Sequence, residues 1–241
     1  MIRRQKSMRF LGGFYAFPGG KVEATHASEE ALRCCRGIST AEALRSFPAS
    51  DGLPPLAFWV TAARELVEET GLLVGCDEGG RPVDTSDPVV RKRVESLRHA
   101  LVAEDAPFHV LLAREGWRLD LAPFRYLSHF ITPPSSPIRF TARFFLCRAP
   151  VDQPPALFTE ETSEAFWIHP GEGYRRFIAG DMKMAEPAEY GLGYLAQFRS
   201  VDELWQAHTD GREKFCGVGH GMNALWKEFD WKQNRFPGKT S

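Results

Sequence analysis

Residues 56–71 constrain the fold more than any other segment. Leu56–Thr70 has the spacing of one continuous helix, and Gly71 stands where a helix commonly ends in a left-handed residue. Glu65, Glu68 and Glu69 occupy positions i, i+3 and i+4, so their carboxylates share one face of this helix. Neighbouring carboxylates repel each other and raise each other's pKa. A hard divalent cation such as Mg²⁺, which prefers oxygen ligands, would offset that repulsion.

The remainder of the helix and an upstream turn bear on the same interpretation. Leu66 and Val67 supply an apolar side for packing on a sheet, and Arg64 can neutralise or orient one glutamate. Three glutamates alone are also typical of a solvated acidic helix face. The run Phe17-Pro18-Gly19-Gly20 favours a site, because a glycine such as Gly20 lets the backbone approach a metal or phosphate closely.

The composition argues against several classes of protein. The chain has 241 residues, the size of one large domain or of one domain with extensions. Its 30 Lys and Arg against 31 Asp and Glu leave no overall field for nucleic acid. Five cysteines without CxxC spacing argue against a disulfide framework, and no apolar run approaches the ~20 residues that span a bilayer. We therefore expect a soluble cytoplasmic protein with a small-molecule partner, no nucleic acid or membrane partner, and a homodimer left open.

Strands and helices are mixed along the chain. Helices are predicted at 29–35, 41–47, 56–70, 88–103, 108–114, 173–179, 187–198 and 201–208, from periodicity and capping residues. Strands are predicted at 13–17, 72–75, 124–132, 139–147 and 166–169. This order indicates a layered α/β or α+β fold.

The motif residues together resemble the Nudix hydrolase signature. Gly20 matches its opening, and its second half is matched by Arg64, Glu65, Leu66, Glu68, Glu69, Gly71 and Leu72. The resemblance implies a Nudix-type α/β/α sandwich with a mixed sheet. It also implies that the protein hydrolyses a nucleoside diphosphate linked to another moiety. It also implies Mg²⁺ or Mn²⁺ as the cofactor, with Gly20, Glu65, Glu68 and Glu69 as metal ligands.

The chain departs from that signature in two places. Arg64 follows Gly20 by 44 positions where the pattern has 14, which is an insertion of 30 residues. The inserted residues, about 29–55, resemble the subfamily that includes the peroxisomal coenzyme A diphosphatases. If they form a helical flap beside the substrate cleft, trimming them to a short loop should preserve the fold and chiefly change substrate preference. The alternative is that the insertion belongs to the core. His26 stands where the signature has its first glutamate, and a nearby glutamate (Glu23, Glu29 or Glu30) is an alternative ligand.

Residues before the signature resemble the motif associated with coenzyme A in that subfamily. Its spacing is matched by Arg4, Arg9, Gly13 and the run 17–20. The resemblance implies Arg4, Arg9 and Gly19 as substrate-binding residues, with Arg4 and Arg9 as candidates to pair with the 3′-phosphate of coenzyme A. An exposed basic strand edge is the alternative interpretation of these arginines.

The resemblance also implies catalytic roles and a substrate. Glu65, Arg64 and Glu68 are the expected catalytic residues, joined by Glu161 as a candidate base. Glu160 and Glu164 of the same predicted loop are alternative bases, and a solvated loop without a catalytic role is the other interpretation. Coenzyme A or its acyl esters are the favoured substrates, giving 3′,5′-ADP and (acyl-)phosphopantetheine. ADP-ribose or dinucleotides are the alternative substrates, and a non-catalytic nucleotide-sensing module is the alternative class. The Nudix domain is expected over 1–205, with a helical C-terminal extension at 206–241 packed on it.

Overall fold

A computed structural model describes residues 1–8, 10–49, 52–103, 106–132, 134, 138–150, 153, 155, 162–209, 215–218 and 221–222. Their strands form three small sheets. The first has the order β2 (Tyr15–Ala16), β1 (Ile2–Arg4), β8 (Thr162–Ala165); the second β10 (Gly221–Met222), β9 (Phe215–Val218), β6 (Phe124–Ile131), β7 (Thr141–Cys147); the third β3 (Cys35–Arg36), β5 (Trp117–Asp120), β4 (Gly75–Asp77). Parallel and antiparallel pairs coexist in the second and third sheets.

The helices of the described residues lie where the sequence predicts them. They are α1 (Glu29–Arg33), α2 (Thr40–Ser46), α3 (Leu56–Thr70), α4 (Pro88–Ala103), α5 (Phe108–Arg114), α6 (Pro170–Ile178), α7 (Glu186–Leu195) and α8 (Val201–Gln206). Tyr15 of β2 packs with Tyr174 of α6 and Leu192 of α7, on one side of the first sheet. This arrangement of mixed sheets between helices confirms the expected α/β/α class.

Helix α3 runs through the main core. Trp59, Val60, Ala63 and Val67 are buried in that core, together with side chains of α4, α5 and β6. The helix ends at Gly71, which adopts φ 74° and donates its N–H to the carbonyl of Val67 at 2.8 Å. A residue with a Cβ is strained in this left-handed conformation, so glycine gives the helix a sharp end at low cost. Glu65, Glu68 and Glu69 therefore lie in the last two turns of α3, just before the point where the helix ends.

Two predicted strands differ from the structure. Residues 72–74 are buried but form no strand, and β4 begins at Gly75. There the backbone of Leu73 bonds the side-chain amide of Gln153, at 2.8 Å for its N–H and 3.1 Å for its carbonyl, instead of another strand. Residues 166–169 are also irregular, because β8 ends at Ala165. Strands β1, β3, β5, β8, β9 and β10 are absent from the prediction.

The insertion is not a flap. Phe47, at the end of α2, is only 7% exposed and belongs to the main core, as does the fully buried Ala43. Strand β3, also inside 29–55, pairs in parallel with β5. The structure therefore favours the alternative that the insertion belongs to the core, because this segment supplies both a strand and core side chains.

The described part of the C-terminal extension adds strands. β9 pairs in parallel with β6, and β10 pairs with β9. The predicted helix at 201–208 forms over its first six residues. No helix in the described part of the chain is both long and apolar enough to span a membrane.

Candidate metal and active site

The acidic face of α3 packs against the turn at residues 17–20. Gly19 donates its backbone N–H to Oε2 of Glu69 at 2.8 Å, across 50 residues of sequence. Gly20 lies against Glu65 so closely that an added Cβ would come within 2.6 Å of the Glu65 carboxyl carbon. The two glycines thus bring their backbone onto the carboxylates, whereas the predicted approach of Gly20 to a metal or phosphate stays a prediction.

Glu69 is held in an unfavourable environment for a carboxylate. Its side chain is only 7% exposed. Burial raises the pKa of Glu69 to about 8, against the Gly19 hydrogen bond that lowers it, and the nearby charges of Glu65 and Glu68 raise it further. A cation bound here would therefore replace a proton that Glu69 holds at neutral pH.

Arg64 neutralises the other two carboxylates of the helix. Its guanidinium forms ion pairs with both Glu65 and Glu68. Glu65 is 6% exposed, whereas Glu68 is half-buried. The sequence expectation that Arg64 would neutralise a glutamate of its own helix agrees with this geometry.

Arg4 contributes a positive charge from the first sheet. It lies in β1, and its charge lowers the pKa of Glu69, which places it beside the acidic face. Its Nε is buried and has no hydrogen-bond partner within the described residues. A buried guanidinium nitrogen beside a carboxylate cluster is suited to an anionic ligand held at the same place.

His26 takes no carboxylate-like role in the structure. Its Nδ1 accepts a hydrogen bond from the N–H of Glu23 and lies 2.9 Å from Oγ1 of Thr61 on α3. Burial and the nearby charge of Arg64 lower the pKa of His26 to about 4, so the ring is neutral at physiological pH. The residue therefore packs the 3-10 turn Ala24–Ala27 against α3. Of the alternative ligands, Glu29 pairs with Arg33 on an exposed face of α1.

Arg98 is a residue of this region that the sequence interpretation missed. It is buried on α4, and its Nε donates to the backbone carbonyl of Glu68 at 3.0 Å, near the C-terminal end of α3. Burial lowers the pKa of Arg98 to about 10, which leaves it charged at neutral pH. A cation at this end of a helix interacts favourably with the helix dipole. The available signal was its place among Val94, Leu97 and Leu101 on the apolar stripe of α4.

Two of the predicted site residues, Arg9 and Glu161, lie outside the described residues, so their roles stay predictions. Glu164, which lies in strand β8, forms an ion pair with Arg3 at 2.7 Å and accepts from the Tyr15 hydroxyl at 3.4 Å. It serves the first sheet rather than α3.

The donor set of α3 fits a divalent cation in its chemistry. Within the described residues, no three His, Cys, Asp or Glu side chains are already arranged as ligands around one point. Glu65 and Glu68 are instead turned to Arg64. The three glutamates nevertheless place hard oxygen donors on one face of α3, and such donors match the preference of Mg²⁺ or Mn²⁺. Burial raises the pKa of one of them, Glu69. Gly20 lies directly against the Glu65 carboxylate, so the backbone of the 17–20 turn borders this donor set.

Comparisons with known proteins place the chain among the Nudix hydrolases. The crystal structure of a Nudix hydrolase from Alicyclobacillus acidocaldarius superposes with a TM-score of 0.59 and is 33% identical, covering 80% of this chain and 81% of that one. An acyl-coenzyme A diphosphatase, NUDT19 of Gallus gallus, is 27% identical over 89% of this chain and 65% of its own length. A protein named putative nudix hydrolase 7 of Caenorhabditis elegans is 28% identical over 90% of this chain and 61% of its own. The chain thus spans less than two thirds of each of these last two proteins. No protein-family model matches the chain.

Proposed function

Since the chain belongs to the Nudix hydrolase family, we propose that it hydrolyses the diphosphate bond of a nucleoside diphosphate linked to another moiety. The favoured substrate is coenzyme A or an acyl ester, which would give 3′,5′-ADP and (acyl-)phosphopantetheine. The similarity to an acyl-coenzyme A diphosphatase supports this choice of substrate. We also propose that the protein is cytoplasmic and that its substrates are small molecules.

The observation that carries the proposal is the closure of the Gly19–Gly20 turn on the acidic face of α3. Glu65, Glu68 and Glu69 would hold the divalent cation, with Gly20 as the neighbouring backbone position. When bound, such a cation neutralises diphosphate oxygens and lowers the pKa of a coordinated water. The Gly19 hydrogen bond keeps one Glu69 oxygen in place, which pre-organises the site before any ligand arrives.

Arg64 and Arg4 have separate roles in this proposal. Arg64 orients Glu65 and Glu68 by its two ion pairs and keeps their mutual repulsion low. Arg4 contacts the substrate, because its guanidinium stands beside Glu69 with a buried nitrogen that lacks a partner among the described residues. Arg9 and Glu161 remain proposed from the resemblance, as substrate ligand and base.

A substrate panel tests the proposal. Purified protein is incubated with coenzyme A, dephospho-coenzyme A, ADP-ribose and NADH, with Mg²⁺ or with EDTA, and the products are identified by mass. We expect cleavage only with the metal, and fastest with coenzyme A. Fastest cleavage of ADP-ribose or NADH would retain the diphosphatase and reject the proposed substrate.

A variant of the acidic face tests the residues. Glu69→Gln removes one anionic ligand with little change of shape, and we expect kcat to fall by roughly 100-fold or more, the scale for loss of a key electrostatic group. Glu95→Gln, an exposed glutamate of α4, is the matched control and should retain full activity. Near-normal turnover by Glu69→Gln would reject the metal assignment.

A further inference from the structure

A second charged cleft lies away from the acidic face of α3. It has a volume of about 460 Å³ and opens between the N-terminal strands and the segment that follows α6. Three cations line it, Arg3, Lys6 and Lys183, together with Tyr15 and one carboxylate, Asp181. An excess of cations in a concave surface attracts anions, because the surrounding low-dielectric walls focus the field.

Buried and exposed side chains alternate along the segment after α6, and its exposed charged side chains line the cleft. Met182 and Met184 are buried, whereas Asp181 and Lys183 between and beside them are exposed. Tyr15 donates its backbone N–H to the carbonyl of Lys183 at 2.8 Å, so the segment runs beside β2 like a short additional strand. Lys183 is therefore held over the cleft by backbone pairing rather than by a free loop.

Arg3 forms the inner wall of the cleft. Its guanidinium lies 5.3 Å from the centre of the Tyr15 ring and pairs with Glu164 at 2.7 Å. Its Nε is buried and has no hydrogen-bond partner in the described part of the chain. Lys6 and Lys183 form no ion pair with any described residue. The cations of the cleft thus have hydrogen-bond donors that are not engaged by any described residue of the protein.

The turn that carries Lys6 depends on glycine. A Cβ on Gly12 would lie 2.6 Å from the carbonyl oxygen of Lys6, and Gly13 adopts φ 78°. Both glycines line the cleft, so no side chain fills it from this side. A shape that only glycine permits leaves the space beside the cations open to a ligand.

We propose that this cleft binds a phosphate group in the form of a phosphomonoester dianion. Arg3 lines the cleft, whereas the charge of its neighbour Arg4 in β1 acts on Glu69 of the acidic face. No residue of α3 lines the cleft, which makes this a binding site separate from the metal site. The dianion comes either from the substrate, as a second phosphate on its ribose, or from a free phosphate compound. Only the first source rests on the proposed function.

Direct binding of inorganic phosphate tests the site without any catalysis. Calorimetric titration is made on the wild type and on two exposed positions of the cleft, Lys183→Gln and Asp181→Asn. We expect Lys183→Gln to weaken binding about tenfold, the scale of one charge-assisted hydrogen bond, and Asp181→Asn to strengthen it, because a repelling carboxylate is removed. Lys92→Gln, an exposed lysine of α4, is the control and should bind as the wild type does. No saturable binding by the wild type, or equal affinity in all four proteins, would overturn the proposal.

Steady-state kinetics identify the source of the phosphate. If the substrate supplies it, Lys183→Gln lowers kcat/KM about tenfold with coenzyme A and leaves dephospho-coenzyme A unchanged. If a free phosphate compound supplies it, the variant loses phosphate binding while kcat/KM stays equal for both substrates. Absence of hydrolysis by the wild type would reject the proposed function, but it would leave the titration result intact.

Discussion

The variant Phe47→Ala measures how much the insertion contributes to the stability of the core. The ring of Phe47 lies 5.3 Å from that of Trp59 in a stacked arrangement, 5.5 Å from that of Phe58 and 4.7 Å from that of Tyr126. The Arg143 guanidinium lies 4.3 Å from the ring centre. One residue of the insertion therefore joins two residues of helix α3 to strands β6 and β7.

The expected magnitude follows from this burial. An aromatic side chain that removes ~150–250 Å² from water contributes roughly 4–6 kcal/mol at about 25 cal/mol per Å². That figure is an upper bound, because the unfolded chain already buries part of its surface. Measured Phe→Ala changes in cores cost about 3–5 kcal/mol. We therefore expect Phe47→Ala to lower the free energy of unfolding by about 3–5 kcal/mol.

Urea unfolding followed by tryptophan fluorescence measures this change. The control is Leu44→Ala on α2, since Leu44 is 50% exposed, and its cost should stay within about 0.5 kcal/mol as for most surface substitutions. A chain trimmed of residues 29–55 should not fold, because it loses β3 as well. A cost below about 1 kcal/mol for Phe47→Ala, against the 3–5 kcal/mol of a buried ring, or a folded trimmed chain, would refute the assignment of the insertion to the core.

Three further predictions concern the acidic face. In EDTA the free energy of unfolding should fall by a few kcal/mol as pH rises from about 5 to 8, since the raised pKa of Glu69 stabilises the fold only while that carboxyl is protonated; burial also raises the pKa of Glu189 to about 7, so urea unfolding at each pH should show a slope that Glu69→Gln reduces but does not abolish. Gly20→Ala should lower Mg²⁺ affinity, measured by calorimetry, because its Cβ would crowd Glu65, whereas Gly19→Ala has open space at its Cβ and should bind as the wild type does. Arg98→Met should cost about 1–3 kcal/mol in urea unfolding, because it removes a charged donor from a buried carbonyl of α3; an unchanged midpoint would contradict that role.

Local sequence alone determined helix α3. Its hydrogen bonds join residues four apart, so the apolar periodicity, the three glutamates of one face and the closing Gly71 are all visible within 16 residues. The same holds for the other helices, whose caps and periods lie in the segments themselves. The resemblance and the absence of a Cβ assigned Gly20 to the predicted metal site, but they did not indicate its close approach to Glu65.

Only the tertiary structure decided which distant residues meet that helix. Strand β1 has three residues and pairs with β8 some 160 positions away, so no local pattern marks it. The Gly19 bond to Glu69 and the placement of Arg98 likewise join segments tens of residues apart. The role of the insertion was left open by the sequence for the same physical reason. Short helices between prolines have the pattern of a surface flap, and the burial of Phe47 depends on partners that the chain brings in from elsewhere.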